Sequence, residues 1–336
     1  MTIKDLAAKT GYAVGTVSRA LNNQPNVSEK ARQVILQAAR DSGFQLNQNA
    51  KQLKQQHSTN ILAVVKGMGN QLFAPMMETI QTAVGQTHYQ LVVDYVDEDA
   101  NEVLRAVQLS QEKKPQGILF LGGNTQHFAR DFDKILEPSV LITNDGSCLP
   151  FPNLSSVTTD DRRAGREAIE TLLALGHRHI AVIGGDRQQS DISRLRYEGC
   201  EEAFAAHGVA FVPERDYQAV RFSYQDGYRA TQALLSRDRE ITAIFAAADV
   251  IAIGAIRALH EAGLSVPEDV SVMGVDGLPL GDFLVPQLAT VGQSVTEMAR
   301  RSVEILLKAM NGGPACHEHI PFRLCTRGSI RPLNQP

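Results

Sequence analysis

The sequence predicts an α/β protein in which a small helical head precedes two lobes of doubly wound parallel sheet. Three observations carry the prediction. From Ile61 onward, short apolar runs alternate with amphipathic helical segments, the pattern of parallel strands covered by helices on both faces. The alternation breaks at Pro150 to Ser156 and then restarts, so it counts two sheets rather than one. The first fifty or so residues contain no strand-like run and read as three short helices. At 336 residues the chain is long enough to bury more than one core.

The head comes first. Thr2 stands as the cap of the first helix, with Asp5 returning to it from the first turn. Ile3, Leu6 and Ala7 fall at i, i+3 and i+4 and form one apolar face. Gly11 supplies the tight turn into a second short helix, the layout of a helix-turn-helix. Val17, Ala20 and Leu21 face the first helix, which leaves Val14, Gly15, Thr16, Ser18 and Arg19 outward. A third amphipathic segment runs from Val27-Ser28-Glu29 to Gly43.

The outward set suits DNA. The hydroxyls of Thr16 and Ser18 can donate to phosphate oxygens, and Arg19 reaches a phosphate or a base edge. A three-helix bundle with a solvated polar face would show the same spacing. Charge separates the two readings. Residues 1–60 carry eight Lys and Arg against three acids, a net of +5, on a chain whose net charge is −4. A basic head on an acidic body fits nucleic-acid contact by the head alone. Beyond Leu53, the polar stretch Lys54-Gln55-Gln56-His57-Ser58-Thr59-Asn60 has no apolar face and reads as a linker.

The core follows in order. Strands are expected at 61–65, 90–94, 117–121 and 139–143, with helices at 74–87, 101–111 and 126–135 between them. After the break come a helix at 163–175, a strand at 180–183, and helices at 194–207 and 226–235. A strand at 243–246, a helix at 250–262 and a strand at 270–275 complete the second series. In such sheets a ligand belongs at the carboxyl ends of the strands.

Composition excludes several classes. The chain is 43% apolar and 21% charged, and it has no basic-then-apolar leader, so secretion is not expected. The most apolar stretch, Ala243 to Ile256, is short and interrupted by Asp249, so it is no membrane span. Cys148, Cys200, Cys316 and Cys325 lack metal-ligand spacing and are expected as reduced, buried thiols in a cytoplasmic setting. Neither a Gly-x-Ser-x-Gly elbow nor a His-Glu-x-x-His helix occurs. Gly184-Gly185 is too weak a signal for a dinucleotide, and His177 and His179 read as turn residues rather than metal ligands. No enzyme, cofactor or metal is expected.

Several of these stretches carry a resemblance. Thr2-Ile3-Lys4-Asp5-Leu6-Ala7, Thr16-Val17-Ser18-Arg19-Ala20-Leu21-Asn22 and Val27-Ser28 resemble the DNA-binding head of the LacI/GalR family of bacterial transcription regulators. Phe44-Gln45-Leu46-Asn47-Gln48-Asn49-Ala50-Lys51-Gln52-Leu53 is similar to the family's hinge, aromatic-x-Pro-Asn-x-x-Ala-x-x-Leu, with Leu46 in place of the proline. In the core, Gly176-His177-Arg178-His179-Ile180-Ala181-Val182-Ile183-Gly184-Gly185 is the closest match. Val157-Thr158-Thr159-Asp160-Asp161 with Gly165, Arg196-Tyr197-Glu198-Gly199, Asp249-Val250-Ile251-Ala252-Ile253-Gly254, Val266 to Asp276, and Arg327-Gly328-Ser329 also look like the family. The resemblance covers nearly the whole chain. It implies a head at 1–45, a hinge helix and linker at 46–60, and a periplasmic-binding-protein-like core at 61–336. Lobe 1 would take about 61–158 and 290–319, and lobe 2 about 159–289 and 320–336.

The resemblance also implies a role: a homodimeric repressor that binds operator DNA under control of a small effector, a sugar or sugar derivative, held between the lobes. It places DNA contacts at Thr2, Val14, Gly15, Thr16, Ser18, Arg19, Asn22, Asn26 and Ser28, and at Asn47, Ala50 and Leu53 of the hinge. Leu53 would wedge between base steps in the minor groove; packing against the head is its alternative. Val14 can touch a thymine methyl, whereas Gly15 has no side chain to read with. For the effector, Arg196 and Asp249 are expected to hold adjacent hydroxyls in opposite hydrogen-bond senses, the alternative being a salt bridge to each other. Phe73 and Phe222 carry over as aromatics against a ligand ring, and Gln293 as a polar contact; the two phenylalanines equally suit a core. Ala248 stands where relatives often have Asn, and Thr143-Asn144 where they often have Asp-Arg, which blurs the effector. The competing reading is a sugar-binding protein of the periplasmic type without DNA function, against which the basic head and missing leader weigh. An enzyme with a DNA-binding head is a third, with no motif behind it.

Overall fold

The computed structural model describes residues 3–21, 27–42, 58–67, 69–237 and 240–333. The chain divides into two units, Met1–His57 and Ser58–Pro336. In the first, α1 (Ile3–Thr10), α2 (Val14–Leu21) and α3 (Glu29–Asp41) close on a core of Leu6, Ala7, Val17, Ala20, Ile35 and Ala39. Gly11 ends α1 in the left-handed region at φ 72°, where its N–H reaches the Ala7 carbonyl at 2.9 Å. The Ser28 hydroxyl oxygen caps α3 by accepting from the Ala31 N–H at 3.3 Å. Thr2, the expected cap of α1, lies outside the described residues.

The second unit holds two six-stranded sheets. The first series runs β1 (Asn60–Lys66), α4 (Phe73–Gly85), β2 (Gln90–Val96), α5 (Glu102–Lys113), β3 (Gly117–Leu121), α6 (Thr125–Asp131), β4 (Ser139–Ile142) and β5 (Leu154–Thr158). The second runs α7 (Asp161–Ala174), β6 (Ile180–Gly184), α8 (Asp191–Ala206), α9 (Pro213–Asp216), β7 (Tyr217–Ala219), α10 (Tyr224–Arg237), β8 (Ala243–Ala246), α11 (Asp249–Glu261), β9 (Ser271–Asp276) and β10 (Ala289–Gly292). The chain then returns through α12 (Val295–Met310) and β11 (His317–His319) before β12 (Arg323–Cys325).

The sheet orders are β11-β5-β4-β3-β1-β2 and β12-β10-β9-β8-β6-β7. All pairings are parallel except β10 with β12. Each sheet is covered on both faces by a buried apolar cluster, as the near-continuous apolar runs of β1, β3 and β6 require. Strand order reverses between β1 and β3 in one sheet and between β6 and β8 in the other, so each sheet has one crevice at its carboxyl edge. Three connections cross between the lobes, after β5, after β10 and after β11.

Several expectations need correction. The expected break at Pro150 to Ser156 contains the start of β5, a fully buried strand of sequence Leu-Ser-Ser-Val-Thr. Its polar side chains are satisfied inside the fold, so no apolar run betrays it. The Ser155 hydroxyl accepts from the Cys316 N–H, Ser156 pairs with His317 at 2.8 Å, and the Thr158 hydroxyl donates to the Thr143 carbonyl at 2.7 Å. The helix expected to Ile135 stops at Asp131 and continues as a short 3-10 turn. β1 begins at Asn60, inside the expected linker. β10 pairs with β9, so residues 289–292 belong to lobe 2, and lobe 1 resumes only beyond Gln293. Of the four cysteines only Cys200 is buried; Cys148 is exposed. No helix among the described residues is long and apolar enough to cross a membrane.

Candidate functional site

In the head, burial of Val17 and Ala20 turns the opposite side of α2 to solvent. Val14, Gly15 and Arg19 are exposed there, and Thr16 and Ser18 are half-buried beside them. The five expected outward residues therefore share one helix face. Ser28 is exposed, with its oxygen engaged as the α3 cap. Thr2, Asn22, Asn26, Asn47, Ala50 and Leu53 lie outside the described residues.

In the core, one cavity of about 520 Å³ opens where the carboxyl ends of both sheets meet. Lys66 ends β1, Gly122 and Asn124 follow β3, and Thr143 and Asn144 follow β4; from the other lobe, Asp186 follows β6, Phe222 follows β7, and Asp276 ends β9. The structure brings Phe73, Arg196, Phe222 and Gln293 together in this lining. It does not bring Asp249 there. Asp249 is fully buried behind the wall, where its carboxylate accepts from the Leu278 N–H and from the Thr290 hydroxyl, each at 2.7 Å. The expected Arg196–Asp249 pair is accordingly corrected. The carboxylate on the cavity side is that of Asp276, which accepts from the Gln293 amide at 2.8 Å.

Arg196 is held from behind. Its Nε donates to Asp161 at 2.8 Å, one Nη donates to the Ala247 carbonyl, and Asp276 lies 4.0 Å from the other. Burial pushes the carboxyls of Asp161, Asp249 and Asp276 above the usual carboxylate range. For Asp161 and Asp276 the Arg196 guanidinium opposes that push, whereas for Asp249 the neighbouring Asp276 charge adds to it. Asp276 sits at φ 122° and Thr143 at φ 77°, both strained for residues with side chains. Asp276 ends β9 and Thr143 directly follows β4, corresponding strands of the two sheets, and both line the cavity, where strain concentrates at ligand positions.

The opposite lobe supplies a buried carboxylate of its own. Glu102, at the start of α5, has no solvent exposure. It accepts from Lys66 Nζ at 2.5 Å, from the Asn124 N–H at 2.7 Å, and pairs with His127 Nδ1 at 2.9 Å. Across the mouth, the Thr125 hydroxyl donates to Asp191, the Asn124 amide donates to the Gln189 carbonyl at 3.0 Å, and Arg221 pairs with Asp99. Sequence reasoning missed Lys66, Asn124, His127, Asp186 and Arg221. Lys66 carried a usable signal, a charge closing an otherwise apolar strand; the others stand in loops or a short helix with no pattern around them.

The core is thus two lobes around a polar-lined cavity, and the head is a basic unit of three helices. The head matches the family profile described as bacterial regulatory proteins, lacI family, over residues 2–47, and residues 169–330 match the periplasmic binding protein-like domain. The solved structure of the regulator CelR in complex with cellobiose is 25% identical, with a TM-score of 0.72 over 98% of this chain and 99% of that one. A LacI-family regulator from Enterococcus faecium with bound ribose is 25% identical, with a TM-score of 0.70 over 82% of this chain and all of that one. The transcriptional regulator MalR of Clostridium butyricum is 33% identical, covering 91% of this chain and 92% of its own. With head, core and an end-to-end relative in agreement, the chain belongs to the lacI family of bacterial regulatory proteins and is a DNA-binding transcription regulator.

Proposed function

We propose that this regulator is a repressor whose grip on operator DNA is set by a sugar or sugar derivative bound in the cavity between its lobes. One observation carries the reading: the 520 Å³ cavity draws its lining from the strand ends of both lobes, so a ligand filling it touches both and favours one lobe arrangement over another. The lining combines hydrogen-bond donors and acceptors with the aromatic residues Phe73 and Phe222. A polyhydroxy ring has the same two kinds of surface. The relatives solved with cellobiose and with ribose support the ligand class.

The face of α2 with Val14, Gly15 and Arg19 exposed and Thr16 and Ser18 half-buried beside them is the side that enters the major groove. One such helix reads few base pairs, so the working species is a homodimer on a two-fold operator, in the cytoplasm where that DNA is. The test is fluorescence anisotropy of labelled upstream DNA with the full-length protein, titrated with neutral sugars. Nanomolar-range binding that weakens or tightens with one sugar is the expected result. DNA affinity indifferent to every sugar that raises the melting temperature would defeat the switch, because a ligand that binds both states equally shifts nothing. Gln293→Ala removes both a donor and an acceptor from the cavity and is expected to weaken sugar binding by about 1–3 kcal/mol, with operator affinity in the absence of sugar unchanged. Isothermal titration on that variant checks it.

A further inference from the structure

Resting on the cavity as the effector site, we propose that Glu102, Lys66 and His127 form the lobe-1 half of that site and that it selects an uncharged sugar over a phosphorylated one. Lys66 and His127 line the cavity; Glu102 lies behind both, fully buried. Lys66 Nζ uses one N–H on Glu102 and one on the Ala100 carbonyl at 2.7 Å, leaving one of its three for a ligand. The carboxylate of Glu102 can only accept, so His127 Nδ1 carries a proton toward it and Nε2 is the ring's remaining polar atom. With the ring neutral, Nε2 accepts beside the Lys66 donor, and such a pair matches two adjacent hydroxyls. Arg196 and Asp276 repeat that pairing on the other lobe, with Asp161 in the place of Glu102. In each lobe a buried carboxylate at the first residue of a helix, α5 or α7, orients a cation at the cavity wall.

The charge balance decides against an anion. Three cations line the cavity, Lys66, Arg196 and Arg221, and each has a carboxylate partner: Glu102, Asp161 and Asp99. Asp276, Glu98 and Asp186 add further carboxylates to the lining. Among the described residues no ion pair joins Glu98 or Asp186 to a Lys, Arg or His. Burial raises the Glu98 carboxyl as well; even with Asp161, Asp276 and Glu98 all protonated and the His127 ring neutral, Glu102, Asp99 and Asp186 still match the three cations one for one. A phosphate dianion would enter a site without positive excess, in surroundings where Coulomb repulsion is weakly screened.

The experiment pairs glucose, ribose, maltose and cellobiose each with its phosphate monoester, against the full-length protein, Lys66→Met and Glu102→Gln. Melting-temperature shifts and isothermal titration are read for every combination. A neutral sugar is expected to bind, its ester at least tenfold more weakly, and Lys66→Met is expected to lose at least tenfold for the neutral sugar. Glu102→Gln removes a charge but keeps an acceptor, so Lys66 becomes an unbalanced cation. The ratio of neutral to ester affinity should then move at least tenfold toward the ester, a change that mere loss of packing would not produce. Should Glu102→Gln fail to fold, Lys66→Met still decides the half-site. An ester that binds the wild type more tightly than its parent overturns this inference and leaves the cavity reading standing. So does a neutral sugar whose affinity ignores Lys66→Met. If no member of the panel binds, the sugar reading of the cavity fails, and this inference falls with it.

Discussion

Asp249 shows how a residue can match a family pattern for reasons of structure. Its carboxylate ties the first residue of α11 to Leu278 and to Thr290 of β10, and it leaves no room for a side chain at Gly274 of the adjoining strand, where a Cβ would strike Asp249 Oδ1. Asp249→Ala strands a buried N–H and a hydroxyl and is expected to cost about 1–3 kcal/mol of stability, read by denaturant unfolding. Asp249→Asn keeps the shape and one acceptor but not the charge. Because burial and Asp276 raise the Asp249 carboxyl, the native state holds a proton that the unfolded chain releases near pH 4. Wild-type stability contributed by this group is therefore greatest in acid and is lost as the pH rises from about 4 towards neutrality. The melting temperature of Asp249→Asn should gain on the wild type over that window. A constant difference across it would show that the carboxyl titrates normally. Sugar affinity of Asp249→Asn should stay near the wild-type value, since the side chain lies outside the cavity lining.

At the scale of elements, two glycine pairs set how closely the helices of lobe 2 pack, among them α8, which lines the cavity. Gly165 of α7 and Gly199 of α8 meet at a crossing where a Cβ on either would collide with the other helix's backbone, at the Arg196 carbonyl or the Arg162 carbonyl. Gly227 of α10 and Gly254 of α11 do the same against Ile251 and Tyr224. Neither glycine of the first pair has a positive φ, so both serve close approach rather than a turn. α8 carries Arg196, so its depth sets the reach of the guanidinium into the cavity. Gly199→Ala must push the two helices apart, and overpacking of this kind costs about 1–3 kcal/mol. Thermal unfolding should show that loss, and isothermal titration should show weakened sugar binding with it.

At the scale of the whole molecule, the two lobes of the core are joined by three crossings and touch across the cavity mouth. The contacts there run from Asn124, Thr125 and Gln126 of lobe 1 to Gln189, Asp191 and Gln188 of lobe 2. Asp191 accepts from both the hydroxyl and the N–H of Thr125. These bonds exist only when the lobes are together, so they bias the core toward closure before any ligand arrives. Asp191→Ala should cost the closed state about 1 kcal/mol, and effector affinity should fall roughly fivefold. An unchanged dissociation constant would mean that the contacts do not set the lobe equilibrium. Residues 58–336 fold around their own two sheets and four apolar clusters. Expressed without the first 57 residues, they should keep the sugar-dependent rise in melting temperature and lose specific DNA binding. With the head present, operator affinity should fall steeply with salt, as the net charge of +5 on residues 1–60 requires.

Periodicity alone determined the longer elements, the count of two sheets and the helical head, because each rests on which residues avoid water along a single segment; the short or polar strands β5, β7, β10, β11 and β12 escaped it. The charge contrast between head and body was equally local and pointed to DNA. What the segments do to one another was not legible. β5 hid because its serines find partners at Cys316 and His317, 161 residues away, and its threonine finds one in the Thr143 carbonyl just after β4. The roles of Asp249 and Asp276 could not be told apart, since both are acids at the junction of a strand and a helix; only the packing of β9, β10 and α11 turns one carboxylate into the core and the other toward the cavity. Lys66, Glu102 and His127 stand 36 and 25 residues apart along the chain and share no motif. Strand order brought them together, because doubly wound sheets gather loops from distant segments at one edge, and the chemistry of the site is settled there rather than in any single stretch of sequence.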